Sequence, residues 1–270
     1  MFEGWGITLV QTLCCPGSSA RLDCYPASSE GYLPAVVICP GGGYSWLSPR
    51  ESWPVAEMFR QNGFHAFVLR YTVENPPLGL RPLRDLSWAV KEVRESSGEP
   101  YVDPHRIAVC GFSAGGHLAA SLGVFWNKNR IFPDASLWER HRPNALILGY
   151  PVISSGPFAH RESFERLFQT EEKQSLFSLE NQVSDNVPPT FLWHTVQDGD
   201  VPVQNSMLFF NALVEHHIPC ELHLFPKGVH GLSLATPEVE EPEKGRFADP
   251  HVASWSSLCV EWLHQTLTKL

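Results

Sequence analysis

The tetrapeptide Ile107-Ala108-Val109-Cys110 runs without interruption into Gly111-Phe112-Ser113-Ala114-Gly115-Gly116-His117-Leu118-Ala119-Ala120. An apolar strand, a turn of small residues and a strong helix former follow one another with no linker. This is the sequence form of a nucleophile elbow: a serine on a strained strand-to-helix turn, with glycines at 111 and 115 where larger residues would clash. Continuous apolarity, rather than alternation, places such a strand inside a mostly parallel sheet covered on both faces.

The rest of the chain fits that demand. Strands are expected at 35–39, 66–70, 107–110, 145–149, 190–194 and 221–225, and helices at 55–61, 83–95, 114–125, 203–216 and 252–268. In the second helix Leu83, Leu86, Val90 and Val93 fall on one face, with Arg84, Lys91 and Arg94 opposite. The expected class is α/β, a mostly parallel central sheet with helices on both faces, formed as a single domain over 1–270. Two stretches break the alternation, 126–143 and 152–189, and are expected to form a small cap or lid over the strand ends.

A serine hydroxyl is a weak nucleophile at neutral pH and needs a base, which in turn needs a carboxylate to fix its tautomer. After the strand at 190–194 comes a polar turn carrying Asp198 and Asp200, and after the strand at 221–225 comes His230 in Gly228-Val229-His230-Gly231. Both lie just past strand ends, as Ser113 does. The expected catalytic set is therefore Ser113, His230 and Asp198, with Asp200 read as a capping residue of the helix that follows. For the oxyanion, Pro40-Gly41-Gly42-Gly43-Tyr44 follows the strand at 35–39, and consecutive glycines let the main chain approach a ligand. The backbone amides of Gly42, Gly43 and Ala114 are the expected donors.

A formal charge of −9 and a pI near 5.7 leave no basic field for nucleic acid or anionic lipid. The acidic run Glu238, Glu240, Glu241 and Glu243, interspersed with prolines, reads as a solvated loop. Seven cysteines show no metal-binding or redox spacing and are expected to be mostly buried free thiols. No run of eighteen apolar residues offers a membrane span, and Met1-Phe2-Glu3-Gly4 lacks the basic start of a secretory signal. A cytoplasmic protein acting on a small acylated molecule, with no nucleic-acid or membrane partner, is the expectation. Oligomeric state is open: Phe158, Phe164, Leu167, Phe168 and Phe177 suit a lid and a subunit contact equally.

Taken together, the segment 35–44, Asp103-Pro104-His105-Arg106-Ile107, the serine elbow with His117-Leu118-Ala119, and Phe191-Leu192-Trp193-His194-Thr195 resemble the α/β-hydrolase esterases. The resemblance is to those related to bacterial acetylxylan esterases and to the hormone-sensitive-lipase-like group, and it covers most of the chain. Pro40 stands where the lipase-like group starts its oxyanion loop with histidine, which aligns the chain with the acetylxylan-esterase branch. The resemblance implies an α/β-hydrolase fold and removal of acetyl groups from sugars, with no metal or organic cofactor. Tyr44 and Trp46 are named as substrate-binding residues, Trp46 as a platform for a sugar ring. A general short-chain carboxylesterase and an aryl-formamidase share these features. A peptidase fits less well, since such relatives carry a propeller, and a non-catalytic relative would have lost part of the set.

Overall fold

The computed structural model describes residues 11–28, 31–98 and 100–268. The N-terminal stretch bearing on an export signal lies outside the described residues. Among them an eight-stranded sheet runs in the order β1-β2-β4-β3-β5-β6-β7-β8. Its strands are β1 (Gln11–Cys14), β2 (Arg21–Tyr25), β3 (Leu33–Cys39), β4 (His65–Arg70), β5 (Val102–Phe112), β6 (Ala145–Gly149), β7 (Thr190–Thr195) and β8 (Cys220–Phe225). From β4 to β8 every neighbouring pair is parallel, whereas β2 pairs antiparallel with both β1 and β4.

The helices are α1 (Trp53–Gln61), α2 (Arg81–Glu95), α3 (Ala114–Phe125), α4 (Trp138–His141), α5 (Arg161–Leu167), α6 (Glu171–Leu176), α7 (Gln204–Glu215), α8 (Pro250–Ala253) and α9 (Trp255–Thr268). Successive strand residues face opposite sides of a sheet, and this divides the core in two. Val37, Val109, Leu148 and Leu192 pack with Leu86 and Val90 of α2, Leu118 and Leu122 of α3, and Phe209 of α7. Val36, Ile38, Cys110, Ile147 and Trp193 pack with Val55 and Phe59 of α1 and Trp255 and Leu263 of α9. Burial on both faces is what gives the central strands their unbroken apolar sequences.

The six expected strands correspond to β3 through β8. The edge hairpin β1–β2 was not anticipated, because Gln11 and Thr12 interrupt one strand and Asp23 lies within the other. Asp23 is nonetheless buried: Arg70 Nε donates to it at 2.7 Å and Thr12 Oγ1 at 2.7 Å, so its charge is paired.

The cap expectation divides. Residues 126–143 leave the C-terminal end of α3, whose 12 residues span about 18 Å from the elbow. They then enter the start of β6, so they run along the opposite end of the sheet, where α4 packs on α2. They are not a lid. Residues 152–189 begin at the carboxyl end of β6 and do reach the cleft, through His160 and Glu162. Phe164, Leu167, Phe168 and Phe177 are buried in the core beneath that insertion, Phe164 and Phe177 edging His117 at ring separations of 5.2 and 6.3 Å, and so form neither a lid surface nor a subunit contact.

All seven cysteines are free, four of them buried. Among the described residues no helix is long and apolar enough to cross a membrane.

Leu148 lies fully buried on β6, whereas Gln11 is exposed on the edge strand. Leu148→Ala is expected to lower unfolding free energy by about 2–5 kcal/mol and Gln11→Ala by less than about 0.5 kcal/mol, read from urea transitions.

Candidate active site

Ser113 follows directly on β5 and precedes α3, with φ 53° and ψ −120°, a conformation costly for a residue with a side chain. Close backbone packing enforces it. A Cβ on Gly111 would meet the Gly115 carbonyl oxygen at 2.1 Å, and one on Gly115 would meet the Cys39 carbonyl oxygen at 2.1 Å. The start of α3 is thereby pressed against the end of β3, and the Ser113 amide donates to Gly149 O at 3.0 Å across β6.

The structure brings the three expected residues into one chain of hydrogen bonds. Ser113 Oγ lies 2.8 Å from His230 Nε2, and His230 Nδ1 lies 2.6 Å from Asp198 Oδ2. A carboxylate only accepts, so Nδ1 carries the proton and Nε2 is left to accept from the serine. Asp198 is held on both oxygens. Oδ1 accepts the amides of Asp200 and Val201 at 3.0 and 2.9 Å, and Oδ2 also faces His194 Nε2 at 3.2 Å. Burial alone would raise the Asp198 pKa, but hydrogen bonds from His194 and His230 outweigh it and hold the group well below the usual carboxylate range.

Asp200 departs from its expected role. The N-cap of α7 is Val203, and no side chain caps it. Asp200 instead borders the cleft.

On the glycine loop the Gly41 amide is taken up by Glu51 Oε2 at 2.7 Å. The amides of Gly42 and Gly43 donate to no group among the described residues, and both residues border the cleft next to Ser113. Gly42 has φ 133°, and a Cβ there would meet Trp46 O at 2.1 Å, so only glycine fits. Ala114, the first residue of α3, presents an amide from the helix's unsatisfied first turn.

Tyr44 does not line this cleft. It is 1% exposed, and its hydroxyl is bound 2.9 Å from His117 Nδ1, whose Nε2 donates to Phe177 O at 3.0 Å. Burial pushes His117 down to about 4, so this imidazole stays neutral and the tyrosine is a fixed support under the loop. Trp46, by contrast, borders the cleft with 46% of its surface exposed, and Lys244 Nζ stands 5.6 Å from its ring centre.

The cleft has a volume of about 260 Å³. Its walls include groups that no motif announced: Glu51, His160, Glu162 and Arg246. Burial, and then the neighbouring His230, lower the His160 pKa. Arg246 Nε donates to His230 O at 2.8 Å and its guanidinium pairs with Glu241, which also lies 3.4 Å from Arg50. Glu241, expected in a solvated loop, therefore braces the loop that carries His230.

Sheet order, elbow and cleft together define an α/β-hydrolase with a serine, a histidine and an aspartate in line. Comparison with known proteins is specific about the lineage. The profile of the Prolyl oligopeptidase family matches residues 75–246, and the chain belongs to this family. It is 40% identical over 234 residues to endo-1,4-beta-xylanase B of Butyrivibrio fibrisolvens, covering 79% of this chain and 36% of that protein. It is 30% identical over 229 residues to the acetylxylan esterase of Xylanibacter ruminicola, covering 80% of this chain and 44% of that protein. The chain thus spans less than half the length of either relative. The crystal structure of the acetyl ester-xyloside bifunctional hydrolase from Caldicellulosiruptor lactoaceticus superposes with a TM-score of 0.79 at 38% identity, covering 92% of this chain and 89% of that one.

Because the folded-state pKa of Asp198 is depressed, its stabilising contribution is complete above the unfolded value, near 4 for an ordinary aspartate, and fades as pH falls through the folded value. The unfolding free energy of the natural protein minus that of Asp198→Asn is therefore expected to be positive at pH 7 and to shrink steadily between pH 5 and pH 2. Denaturant titration at each pH measures it.

Proposed function

We propose that this chain is a serine esterase that removes acetyl groups from carbohydrates such as acetylated xylo-oligosaccharides. The observation that carries this reading is the line Ser113 Oγ, His230 and Asp198, with separations of 2.8 and 2.6 Å, beside the uncommitted amides of Gly42 and Gly43. The likeness to the acetylxylan esterase of Xylanibacter ruminicola and to the acetyl ester-xyloside bifunctional hydrolase of Caldicellulosiruptor lactoaceticus supports the choice of substrate class.

In the proposed reaction Ser113 Oγ bonds to the acetyl carbonyl carbon as its proton passes to His230 Nε2. The carbonyl oxygen becomes an alkoxide within reach of the Gly42, Gly43 and Ala114 amides. Collapse breaks the bond to the sugar oxygen, which takes the proton from His230 and leaves as the free hydroxyl. Water then repeats the sequence on the acyl-enzyme, returning its proton through His230 and releasing acetate and Ser113. Asp198 keeps Nδ1 protonated and offsets the imidazolium charge.

Polar and charged walls suit a hydroxylated leaving group, and the exposed face of Trp46 suits a sugar ring. Glu162 and Asp200 are the acceptors that sugar hydroxyls would meet. Unpaired thiols throughout support a reducing, cytoplasmic setting. No metal or organic cofactor enters the scheme.

The test is turnover of nitrophenyl esters from acetate to octanoate beside acetylated xylo-oligosaccharides and a formyl-amide substrate. Expected are a steep preference for acetate, acetate release from the sugars, and a loss of about a thousandfold or more in Ser113→Ala. Ester turnover without sugar deacetylation would make the chain a general short-chain carboxylesterase, and faster formamide cleavage would make it a formamidase. Retained activity in Ser113→Ala would overturn the nucleophile assignment.

A further inference from the structure

Glu51 is a carboxylate with only 3% of its surface exposed, and the triad scheme gives it no task. Both its oxygens are engaged. Oε2 accepts the Gly41 amide at 2.7 Å, and Oε1 accepts the Tyr150 hydroxyl at 2.6 Å. Each partner belongs to a different part of the site. Gly41 opens the glycine loop, one residue before the proposed oxyanion donors. Tyr150 comes directly after Gly149, the residue whose carbonyl accepts the Ser113 amide.

Tyr150 in turn reaches the third part. Its hydroxyl oxygen accepts the Ser233 amide at 2.9 Å, three residues beyond His230, and its ring stands edge-on to the His230 imidazole at 5.1 Å. The neighbouring Arg50 reinforces the connection: its carbonyl accepts from Ser233 Oγ at 2.6 Å and its Nη1 donates to Gly231 O at 2.7 Å. Tyr150 holds a positive φ of 35°, a cost for a bulky residue that the surrounding bonds sustain.

We propose that Glu51 and Tyr150 are a positioning couple that fixes the distance between the oxyanion amides and the base loop, so that the two move as one unit. The inference rests on the triad and oxyanion reading above. Three features argue for it over a generic buried hydrogen bond. The path Gly41 amide, Glu51, Tyr150 hydroxyl, Ser233 amide is continuous and buried. It joins segments nearly two hundred residues apart that share no strand pairing. Its two ends flank the groups that must act together when charge develops on the carbonyl oxygen and on His230.

Preorganisation of this kind acts in the transition state rather than in ground-state binding. Losing it is therefore expected to lower kcat with little change in KM.

Tyr150→Phe removes one oxygen and keeps the ring, the apolar packing and the fold. The variants Tyr150→Phe, Glu51→Gln and their double are compared with the natural protein for kcat and KM on nitrophenyl acetate. Ser113→Ala is run beside them, together with thermal melting and the rate of single-site labelling by a serine-reactive phosphonate. For Tyr150→Phe the expected result is a fall in kcat and in labelling rate of about tenfold to a hundredfold, below the loss from deleting an oxyanion donor. KM should stay within about twofold. The double variant should lose about as much as the worse single variant, because the two residues act as a unit. Should Glu51→Gln fail to fold, Tyr150→Phe alone decides through its kcat-to-KM split and labelling rate. An unchanged kcat in a folded Tyr150→Phe, a rise in KM alone, or fully multiplicative losses would overturn the couple. If Ser113→Ala keeps its activity, the underlying triad reading falls instead, whatever Tyr150→Phe does.

Discussion

The approach of α3 to the end of β3, with no side chain between the Gly115 backbone and the Cys39 carbonyl, is the constraint on which the site depends. It puts the first turn of a helix against the first residues of the glycine loop. Ser113, held between them at positive φ, projects from the sheet instead of packing into it. The glycine loop, Ser113, Asp198 and His230 then all lie just past the carboxyl ends of β3, β5, β7 and β8 respectively. A parallel sheet gathers its loops at that edge by construction, and the chain has placed each reactive group on a different one of them.

Rigid placement of loops needs more than the strands that carry them. Here it comes from buried polar groups whose bonds are satisfied in pairs. The Asp198 carboxylate accepts two amides and faces two imidazoles, and the Glu51 carboxylate spans two loops. Arg50 ties the His230 loop to a segment far along the chain, and Arg246 with Glu241 braces it from nearby. Such groups are costly to bury singly and specify one arrangement when complete. Apolar packing alone would leave these loops free to shift by about an ångström, enough to break the bonds of 2.8 and 2.6 Å that join Ser113, His230 and Asp198.

Features encoded locally were legible in the sequence. The elbow, the order of serine, aspartate and histidine, and the central strands are each written in a few adjacent residues whose size or polarity admits one conformation. Asp198 was separable from Asp200 because the turn before Val201-Pro202 begins at Asp198. Features created by long-range contact were not legible. Tyr44 reads as a loop aromatic near a ligand, yet its hydroxyl finds His117 beneath the loop and the ring turns inward. Residues 126–143 read as an irregular insertion, and only the direction of α3 reveals that they sit at the far end of the sheet. Glu51, in Ser48-Pro49-Arg50-Glu51, follows no motif; its partners stand at positions 41 and 150, and no spacing rule joins them. The hairpin β1–β2 was hidden because its buried aspartate is neutralised by an arginine from another strand.

Beneath the cleft, Trp193 of β7 and Trp255 of α9 stack with ring centres 5.0 Å apart and planes 14° from parallel, and both are fully buried. Tyr150 packs edge-on against Trp193 at 4.9 Å, and the Trp255 indole donates to Ser233 O at 2.9 Å. Two indoles so disposed share their electronic excitation, and the resulting exciton couplet in circular dichroism depends steeply on their separation and tilt. The stacked pair behind Tyr150 is thus also a built-in optical gauge: a slight parting of β7 from α9, too small to register as unfolding, would alter its spectrum without any added label.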